Sequence, residues 1–523
     1  MTSGTGIDRR RLLQLAGSAA TALWLPRSAW SQAQRFTSDP FALGVASGSP
    51  LHDSVVLWTR LVSPALGNDA VTVQWEVAHD EAFSRIAQRG QAQALAELAH
   101  SVHAEVGGLE PDRWYFYRFI AGGVTSPVGR TRTFPAPDAM VQSLRFAYAS
   151  CQRWEHGYFS AYRHMREEKL DAVIFLGDYI YEYAGAANPV RVPPGGWVTT
   201  LEGYRQRYAL HKGEAELQAM HAACPWVVTW DDHEVQNDYA GVTAGNSGPA
   251  VPDFAARRAA AYQAFYEHMP VRASALTRAV AGLQAGAEVR LYSHQRLGRL
   301  GSLIVLDDRQ YRGAQACSPG GRLGSATLDP ATCAAWDDPA RTLLGAAQEA
   351  WVDGAFAQAN TGWTVVAQQT LFGRRDFKAG PGQSLWNDGW DGYAAARGRF
   401  SQSLQKNRVA NPVLLGGDVH ENWVGHVKAD YDRADSATIG VELCGTSISS
   451  RSGGNARIAE VLAENPHFVF AEASRKGYGI AEFTPGKMTA TLRVVDDVTR
   501  RDTKIETLAQ FTTQAASNRL ERV

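Results

Sequence analysis

Acidic residues and histidines follow several apolar runs of this sequence, at the point where each run ends. The runs 172–176, 226–230, 302–306 and 412–415 are followed by Gly177-Asp178, Asp231-Asp232-His233, Asp307-Asp308 and Gly416-Gly417-Asp418-Val419-His420, and the run 144–150 is followed by Cys151. If these runs are buried strands of an α/β fold, their carboxyl ends bring the side chains to one edge, where such folds bind ligands. Carboxylates that crowd together stay ionised only if positive charge lies between them. The pattern therefore indicates a cluster of metal ions.

The residue types narrow the choice of metals and leave some roles open. Oxygen ligands with histidine and one cysteine suit iron, zinc, manganese and calcium to differing degrees. A single aspartate at a strand end is more often a helix cap or a turn former, so Asp231 could equally be structural. Asp307 and Asp308 have Arg309 and Arg312 nearby, and these four residues could hold a substrate phosphate or pair with one another. The agreement of four strand ends favours metal ligands over four separate caps.

Two domains would position these residues. From 144 to 523, apolar runs alternate with helix-like stretches such as Tyr158–Lys169, which predicts an α/β domain. Residues 36–137 instead carry β-branched and aromatic runs between turn residues. Within them, Leu109-Glu110-Pro111 followed by Tyr115 resembles the tyrosine corner of immunoglobulin-like sandwiches. We therefore expect an N-terminal all-β domain of immunoglobulin or fibronectin-III type, which packs against the α/β domain or shapes a substrate site there.

Composition and charge exclude several classes of protein. The chain has 523 residues and a formal net charge of −1, so it lacks the bulk positive charge that holds a nucleic acid. With 45% hydrophobic and 20% charged residues, it is globular rather than disordered. Its five cysteines are too few for a disulfide scaffold. Cys317 and Cys333 could close a loop in an oxidising compartment, and the sequence leaves their pairing open.

The first 31 residues have the organisation of an export signal. Arg9-Arg10-Arg11-Leu12-Leu13 opens an apolar run that reaches Leu25, and Ser28-Ala29-Trp30-Ser31 supplies small residues around a cleavage point. Adjacent arginines before two leucines resemble the twin-arginine type; the alternative is a basic tail with a short buried helix. We predict that residues 1–31 engage the twin-arginine export machinery and that the mature protein is periplasmic or extracellular. We find no later apolar run long enough for a transmembrane span.

Four motifs, in order along the chain, give the sequence a specific resemblance to one family. They are Ser150-Cys151-Gln152, Gly177-Asp178-Tyr179-Ile180-Tyr181-Glu182, the segment 230–238 and Gly416-Gly417-Asp418-Val419-His420-Glu421. Together they resemble the motif series of the PhoD-type alkaline phosphatase/phosphodiesterase family, one of the calcineurin-like metallophosphoesterases. Phe41–Leu61 resembles the opening of that family's N-terminal domain, so the resemblance covers essentially the whole mature chain. It implies a two-sheet α/β sandwich for residues 144–523.

The resemblance also implies a metal core of one ferric ion with calcium ions, with Zn²⁺ or Mn²⁺ as alternatives. The implied ligands are Cys151, Asp178, Tyr181, Asp232, Asn237, Asp418 and His420. Asp178 would bridge the metals, because a carboxylate can give one oxygen to each. Tyr181 and Cys151 would give a phenolate and a thiolate to the iron, since a trivalent cation lowers the pKa of a phenol. Asp418 and His420 would each face one metal, and Asn237 or Asp232 would bind calcium.

Other residues of the motifs would act around the metals. His233 is either a further ligand or the acid that protonates the leaving oxygen, and we predict the second role. Glu182 and Glu421 lie beside ligands in the sequence and would orient them through hydrogen bonds. Arg312 would either support the ligands in the same way or contact the substrate phosphate.

The implied reaction is the hydrolysis of phosphate esters by a metal-activated water. A serine nucleophile elbow and a phosphate-binding loop of the nucleotide triphosphatase type are not apparent in the sequence. A phospholipase D-like or teichoic-acid phosphodiesterase on the same scaffold is the first alternative to a small-ester phosphatase. A secreted binding protein stabilised by its metals is the alternative outside enzymes. A zinc amidohydrolase is disfavoured because histidine is scarce among the ligands.

Overall fold

The computed structural model describes residues 36–276, 288–319, 323–359 and 361–523; the predicted export segment 1–31 lies outside them. The strands, numbered in chain order, are β1 (Val45–Gly48), β2 (Val55–Arg60), β3 (Val71–Ala78), β4 (Ile86–Ala94), β5 (Ser101–Val106), β6 (Trp114–Ala121), β7 (Val124–Thr125), β8 (Gly129–Arg132), β9 (Leu144–Ala149), β10 (Ala172–Phe175), β11 (Trp226–Val228), β12 (Ser293–Arg296), β13 (Gly301–Val305), β14 (Thr327–Leu328), β15 (Trp363–Ala367), β16 (Leu385–Trp386), β17 (Pro412–Gly416), β18 (Asn422–Lys428), β19 (Thr438–Cys444), β20 (Phe468–Glu472), β21 (Gly477–Phe483), β22 (Lys487–Val495), β23 (Ile505–Gln514) and β24 (Glu521–Arg522). The helices are α1 (Ala161–Met165), α2 (Leu201–Lys212), α3 (Ala215–Ala223), α4 (Phe254–His268), α5 (Gly345–Gln358), α6 (Ala394–Lys406) and α7 (Ile458–Glu464).

The strands that carry the predicted site belong to two sheets. The first sheet has the strand order β24-β23-β22-β21-β9-β10-β11-β1-β2-β5, and β9, β10 and β11 are parallel within it. The second sheet has the order β12-β13-β15-β17-β19-β18-β20, and β13, β15, β17 and β19 are parallel. Parallel strands are buried on both faces, so their residues are apolar without alternation. This is why they stand out in the sequence as continuous apolar runs.

The two sheets pack face to face and form the main core. Phe146 and Ile174 of the first sheet lie in one cluster of buried residues with Val365 and Leu415 of the second. The outer face of the first sheet is covered by α1 to α4, and that of the second by α5 and α6. The C-terminal part is therefore a two-sheet α/β sandwich, as the family resemblance implies, and each layer removes apolar side chains from water.

The N-terminal part is all-β, and it shares strands with the first sheet. A third sheet, β4-β3-β6-β7 with β8 beside β6, packs on β1, β2 and β5 around its own apolar core. The hydroxyl of Tyr115 accepts a hydrogen bond of 2.9 Å from the backbone N–H of Glu110, the contact expected of a tyrosine corner. However, β1 also pairs in parallel with β11, with Gly48 opposite Trp226. The N-terminal part is thus continuous with the first sheet.

Helix α4 completes the junction between the two parts. The indole N–H of Trp58 on β2 donates to the carbonyl of Glu267 at 3.0 Å, and His103 Nε2 on β5 lies 2.8 Å from the carbonyl of Tyr266. Trp58 is fully buried. The N-terminal strands therefore pack against helix α4 as well as against the third sheet.

Three further observations bear on the expectations from the sequence. The stretch predicted as one helix over 158–169 contains only α1 and a short 3₁₀ turn, because Lys169 adopts a left-handed φ of 52° that ends it. Cys317 and Cys333 form a disulfide with a Cα–Cα distance of 5.9 Å. Among the described helices, none is long and apolar enough to cross a bilayer.

Three buried histidines, in helices α2, α3 and α4, lead us to expect that acid destabilises the fold. Burial lowers the pKa of His211 to about 3 and holds those of His221 and His268 well below their usual value. An unfolded histidine has a pKa of about 6.5, so between these values the unfolded chain binds protons that the folded chain excludes. The free energy of unfolding should therefore be intact above a pH of about 6.5 and fall as the pH decreases below it.

His211→Phe tests this expectation, because phenylalanine keeps a ring beside Phe159 and removes the titrating group. Urea unfolding between pH values of about 7.5 and about 4.5 should show a pH slope that is smaller by up to about 1.4 kcal/mol per pH unit. His52→Phe, at an exposed position, is the control and should leave the slope unchanged. An identical slope in the wild type and His211→Phe would contradict the prediction.

Candidate metal centre

The predicted ligands lie where strands of both sheets end. Cys151 follows β9 and Asp178 follows β10 in the first sheet, whereas Asp418 and His420 follow β17 in the second. The backbone φ is 58° at Cys151, 58° at Asp178, 66° at Asp418 and 58° at His420. A left-handed backbone is costly for residues other than glycine, and it persists where the surrounding structure imposes it, often at functional sites. Each ligand thus sits at a sharp turn immediately after its strand.

Gly177 allows the loops after β10 and β11 to touch. Its φ is +111°, and a Cβ atom there would lie 2.5 Å from the backbone nitrogen of Asp231. Only glycine fits such a contact. The carboxylates of Asp178 and Asp232 are consequently brought into one cluster, although the two residues belong to separate segments of the chain.

A first group of ligand atoms combines sulfur, oxygen and nitrogen. Cys151, Asp178 and His420 each offer one atom within 4.8 Å of the others. The hydroxyl of Tyr181 donates to Asp178 Oδ2 at 2.9 Å and lies 3.1 Å from His420 Nε2. His420 Nδ1 donates to the carbonyl of Arg451 at 2.8 Å. This bond leaves Nε2 unprotonated and turned towards the group, the arrangement that metal-binding histidines adopt.

A second group shares Asp178 with the first. Asp178, Asp232 and His233 also offer atoms within 4.8 Å of one another. Asn237 lies on the same loop, half-buried, with its backbone N–H donating to Glu182 Oε1 at 2.8 Å. Asp418 accepts a hydrogen bond of 2.7 Å from Thr370 at Oδ2 and lies close enough to raise the pKa of Asp178. The structure therefore gathers Cys151, Tyr181, Asp232 and His420 around Asp178. Among the described residues, Asp418 joins no group of ligand atoms that all lie within 4.8 Å of one another, and Asn237 lies on the adjoining loop.

A third acidic group contains two residues that the sequence analysis missed. Asp238 and Asp388 lie with Asp232 in a further set of atoms within 4.8 Å. Arg309 is almost fully buried beside them: its guanidinium pairs with Asp231, lies 2.7 Å from Asp388 Oδ2 and 3.8 Å from Asp232 Oδ2. Asp238 adjoins Asn237 in the motif, so it could have been included. Asp388 follows the short strand β16 in a long loop, and nothing in its sequence context marks it.

The structure favours pairing over substrate binding for the residues after β13. Asp307 Oδ1 accepts the backbone N–H groups of Arg309 and Gln310, which makes it a turn former. Arg312 is fully buried, and its guanidinium lies 3.0 Å from Asp388 Oδ1 and 3.9 Å from Asp308 Oδ1. A substrate phosphate does not reach it in this arrangement. Arg312 instead supports the third acidic group from behind.

Two glutamates orient the ligand loops, and a third lies apart. Glu182 is fully buried and accepts from His233 Nδ1 at 2.8 Å. Glu234, which the sequence analysis did not single out, accepts the backbone N–H groups of Asp178 and Asp231 at 3.1 and 2.9 Å. Glu421, predicted to orient a ligand, instead accepts from Arg375 and from Trp423 Nε1. The side chain of Glu421 therefore points away from the cluster, whereas that of the preceding residue, His420, faces it.

The acidic groups meet the electrostatic condition for binding cations. Burial raises the pKa of Asp178, Asp231 and Asp418, and neighbouring carboxylates raise it further. Within the described residues, Asp231 Oδ2 and Asp232 Oδ1 are buried without a hydrogen-bond partner. A buried carboxylate oxygen without a partner is costly unless a cation binds it. The mixed sulfur, oxygen and nitrogen donors of the first group suit a transition metal, and the oxygen-rich remainder suits a hard cation.

His233 lies beside these groups, and only one of its ring nitrogens has a short hydrogen bond among the described residues. Burial alone would lower the pKa of His233, but Tyr183 and the surrounding carboxylates outweigh burial and raise it well above its usual value. Its Nδ1 is engaged by Glu182, while Nε2 has only a 3.5 Å contact with the hydroxyl of Tyr183. The ring packs 4.0 Å from that of Tyr181, measured between centroids. Nε2 is therefore the nitrogen that remains available to a substrate.

Two family profiles and a related protein match this sequence over most of its length. The profile of the PhoD-like phosphatase family matches residues 146–492, and that of the PhoD-like phosphatase N-terminal domain matches residues 27–135. Alkaline phosphatase D of Bacillus subtilis (strain 168) is 43% identical over 536 residues, which cover 99% of this chain and 89% of that protein.

A solved structure of PhoD has the same fold. It superposes with a TM-score of 0.87 at 43% identity and covers 94% of this chain and 93% of its own. The profile match over most of the chain and the near-complete coverage of both relatives leave one assignment. The chain belongs to the PhoD-like phosphatase family and is a hydrolase of phosphoric esters.

Proposed function

We propose that this hydrolase is an exported phosphatase that acts on small phosphate esters and depends on adjacent cations bridged by Asp178. The observation that carries the proposal is the membership of Asp178 in both ligand groups, one with Cys151 and His420 and the other with Asp232 and His233. A carboxylate shared in this way can give one oxygen to each of two cations. The position of Tyr181 against both Asp178 and His420 supports a third donor for the first cation.

The donor types support a particular set of metals. Cys151, Tyr181 and His420 suit Fe³⁺, since a trivalent cation would hold the phenol as phenolate against the effect of its burial. Asp232, Asn237 and Asp418 offer oxygen atoms, which Ca²⁺ prefers. Zn²⁺ or Mn²⁺ would accept the same donors in place of either ion. When bound, the cations would neutralise the non-bridging phosphoryl oxygens and lower the pKa of the attacking water.

The chain itself handles the leaving group. Glu182 fixes the ring of His233 through Nδ1, so that Nε2 presents a proton to the leaving oxygen. As the water oxygen forms its bond to phosphorus, the bond to the leaving oxygen breaks, and that oxygen takes the proton from Nε2. The attacking water releases a proton to solvent, and a proton from solvent later returns to His233 Nε2. The products are an alcohol and inorganic phosphate.

Export is part of the proposal and has two supports. Residues 1–31 have the pattern of a twin-arginine signal. The disulfide between Cys317 and Cys333 is the kind of bond that persists in oxidising compartments outside the cytoplasm. We infer that the mature enzyme acts in the periplasm or outside the cell.

Asp178→Asn should abolish turnover and deplete bound metal, because an amide offers one neutral oxygen where a bridging carboxylate offers two charged ones. Elemental analysis of natively exported protein and hydrolysis of a phosphate monoester measure the two effects. Asp435→Asn, at an exposed position, is the matched control and should change neither. Retained activity with full metal content in Asp178→Asn would refute the bridging role.

Tyr181→Phe tests the ferric ion by a spectroscopic signal. The native protein should show a visible absorption band from charge transfer between tyrosinate and iron, and the variant should lose the band while keeping its fold. Tyr183→Phe removes a neighbouring phenol that is not a proposed ligand, and its band should persist. A colourless native enzyme with full activity would remove iron from the proposal.

His233→Gln should slow alkyl phosphates about 10²- to 10⁴-fold, the usual contribution of a general acid. The kcat for nitrophenyl phosphate should fall much less, because nitrophenolate can leave without taking up a proton. The measured quantity is the ratio of kcat for the two esters, and metal content is determined alongside. Equal losses for both esters together with loss of metal would show that His233 is a ligand instead.

A further inference from the structure

A line of aromatic rings leads from the ligand cluster to the surface. The ring of Tyr181 packs against His233, with centroids 4.0 Å apart, and His233 meets Tyr183 edge to face at 4.9 Å. Tyr183 in turn packs against Trp197 at 5.3 Å. Trp197 is 41% exposed. We call Tyr183 and Trp197 the aromatic wall; the reaction described above does not use it.

The aromatic wall is rigid although part of it faces solvent. A Cβ atom on Gly248 would lie 2.5 Å from Trp197 Cε3, so the indole packs directly on the backbone of this glycine. The N–H of Val198 donates to the carbonyl of Glu182 at 2.7 Å. Buried Arg207 donates to the carbonyls of Tyr183 at 3.0 Å and of Gly196 at 3.1 Å. The backbone on both sides of Trp197 is therefore tied to the segment that carries Glu182.

Tyr183 is fixed from its other side as well. The guanidinium of Arg153 lies 4.4 Å from the centre of its ring and is paired with Glu155 at 2.6 Å. The hydroxyl of Tyr183 lies 3.5 Å from His233 Nε2. This nitrogen is the proposed proton donor to the leaving oxygen. A leaving group that extended from this oxygen along Tyr183 would next meet Trp197, whose ring packs on that of Tyr183.

We propose that the aromatic wall binds a planar ring in the leaving alcohol, with Trp197 stacking on a ring set several bonds away from the scissile oxygen, as a nucleobase is in a nucleoside 5′-phosphate. This inference rests on the proposed function. It names the substrate class that the site prefers. An indole that is fixed by its neighbours and still 41% exposed gives up little conformational entropy on stacking, and every nucleobase offers a π face.

Three esters with the same phosphate separate this preference from general catalysis. In adenosine 5′-phosphate the ring is remote from the scissile oxygen, in phenyl phosphate it is attached to it, and in glycerol phosphate there is no ring. Trp197→Ala should lower kcat/KM for adenosine 5′-phosphate about 10-fold, within the range of one stacked base. The effect should fall on KM, and glycerol phosphate and phenyl phosphate should change less than about twofold. Trp197→Phe should restore most of the loss.

Two further variants serve as controls. Trp75→Ala removes a half-buried tryptophan that also packs on a glycine, Gly90, but in the third sheet. This variant should leave kcat/KM unchanged for all three esters. Gly248→Ala should displace the indole and reproduce part of the Trp197→Ala effect. If Trp197→Ala lowered kcat/KM equally for all three esters, or did not lower it for adenosine 5′-phosphate, the inference would be overturned. The proposed phosphatase function would remain intact in either case.

Binding of free adenosine provides a test that does not depend on turnover. Titration calorimetry with adenosine should show binding to the wild-type protein that Trp197→Ala weakens about 10-fold, and glycerol should not bind in either case. Failure of the wild type to hydrolyse any of the three esters would count against the proposed function alone, because the adenosine titration still reports on the ring site. Equal affinity of the wild type and Trp197→Ala for adenosine would overturn the inference.

Discussion

Mutual repulsion among buried carboxylates is the constraint on which the rest of this structure depends. Two sheets end on one side of the molecule, and each contributes aspartates at its strand ends. Burial raises the pKa of Asp178, Asp231 and Asp418, and their proximity to one another adds to the effect. Such an arrangement is stable only where positive charge is supplied. The fold supplies part of that charge itself, and in the proposed function bound cations would supply the remainder.

The division between built-in and bound charge explains the layout of the site. Arg309 and Arg312 are buried among Asp231, Asp388 and Asp308, so the chain itself places positive charge beside these acids. Asp178 has no such arginine pairing among the described residues and is approached by hydrogen-bond donors, Tyr181 among them. Exchangeable metal is therefore expected on the side of Asp178. The arginines hold the opposite side of the cluster in place whether or not metal is bound.

Those parts of the site that depend on local patterns could be predicted from the sequence. Buried parallel strands appear as continuous apolar runs, so the residues that follow them, such as Asp178 and His420, can be located from the order of residues alone. The contributions of Asp388 and Glu234 could not be predicted in this way. Asp388 reaches the site from a long loop, and Glu234 acts through backbone N–H groups of two other segments. The direction of Glu421 depends on its hydrogen bond with the indole of the nearby tryptophan, which no spacing rule encodes.

The same distinction applies to the fold. The alternation of strands and helices and the tyrosine corner at Tyr115 have short-range signatures, and both are present in the structure. The pairing of β1 with β11 joins residues far apart in the chain and depends on a glycine, Gly48, lying against Trp226. A prediction from composition would separate the two parts as independent units at this point.

This shared sheet has a mechanical consequence. Strand β11 begins at Trp226, beside the N-terminal strand β1, and the chain continues from its other end to Asp231, Asp232 and His233. A load applied to the N-terminal part would pass through the hydrogen bonds between β1 and β11 to the loop that carries these residues. The N-terminal part thus supports the loop that carries Asp231, Asp232 and His233, and it is not an independent domain joined to the rest only by a linker.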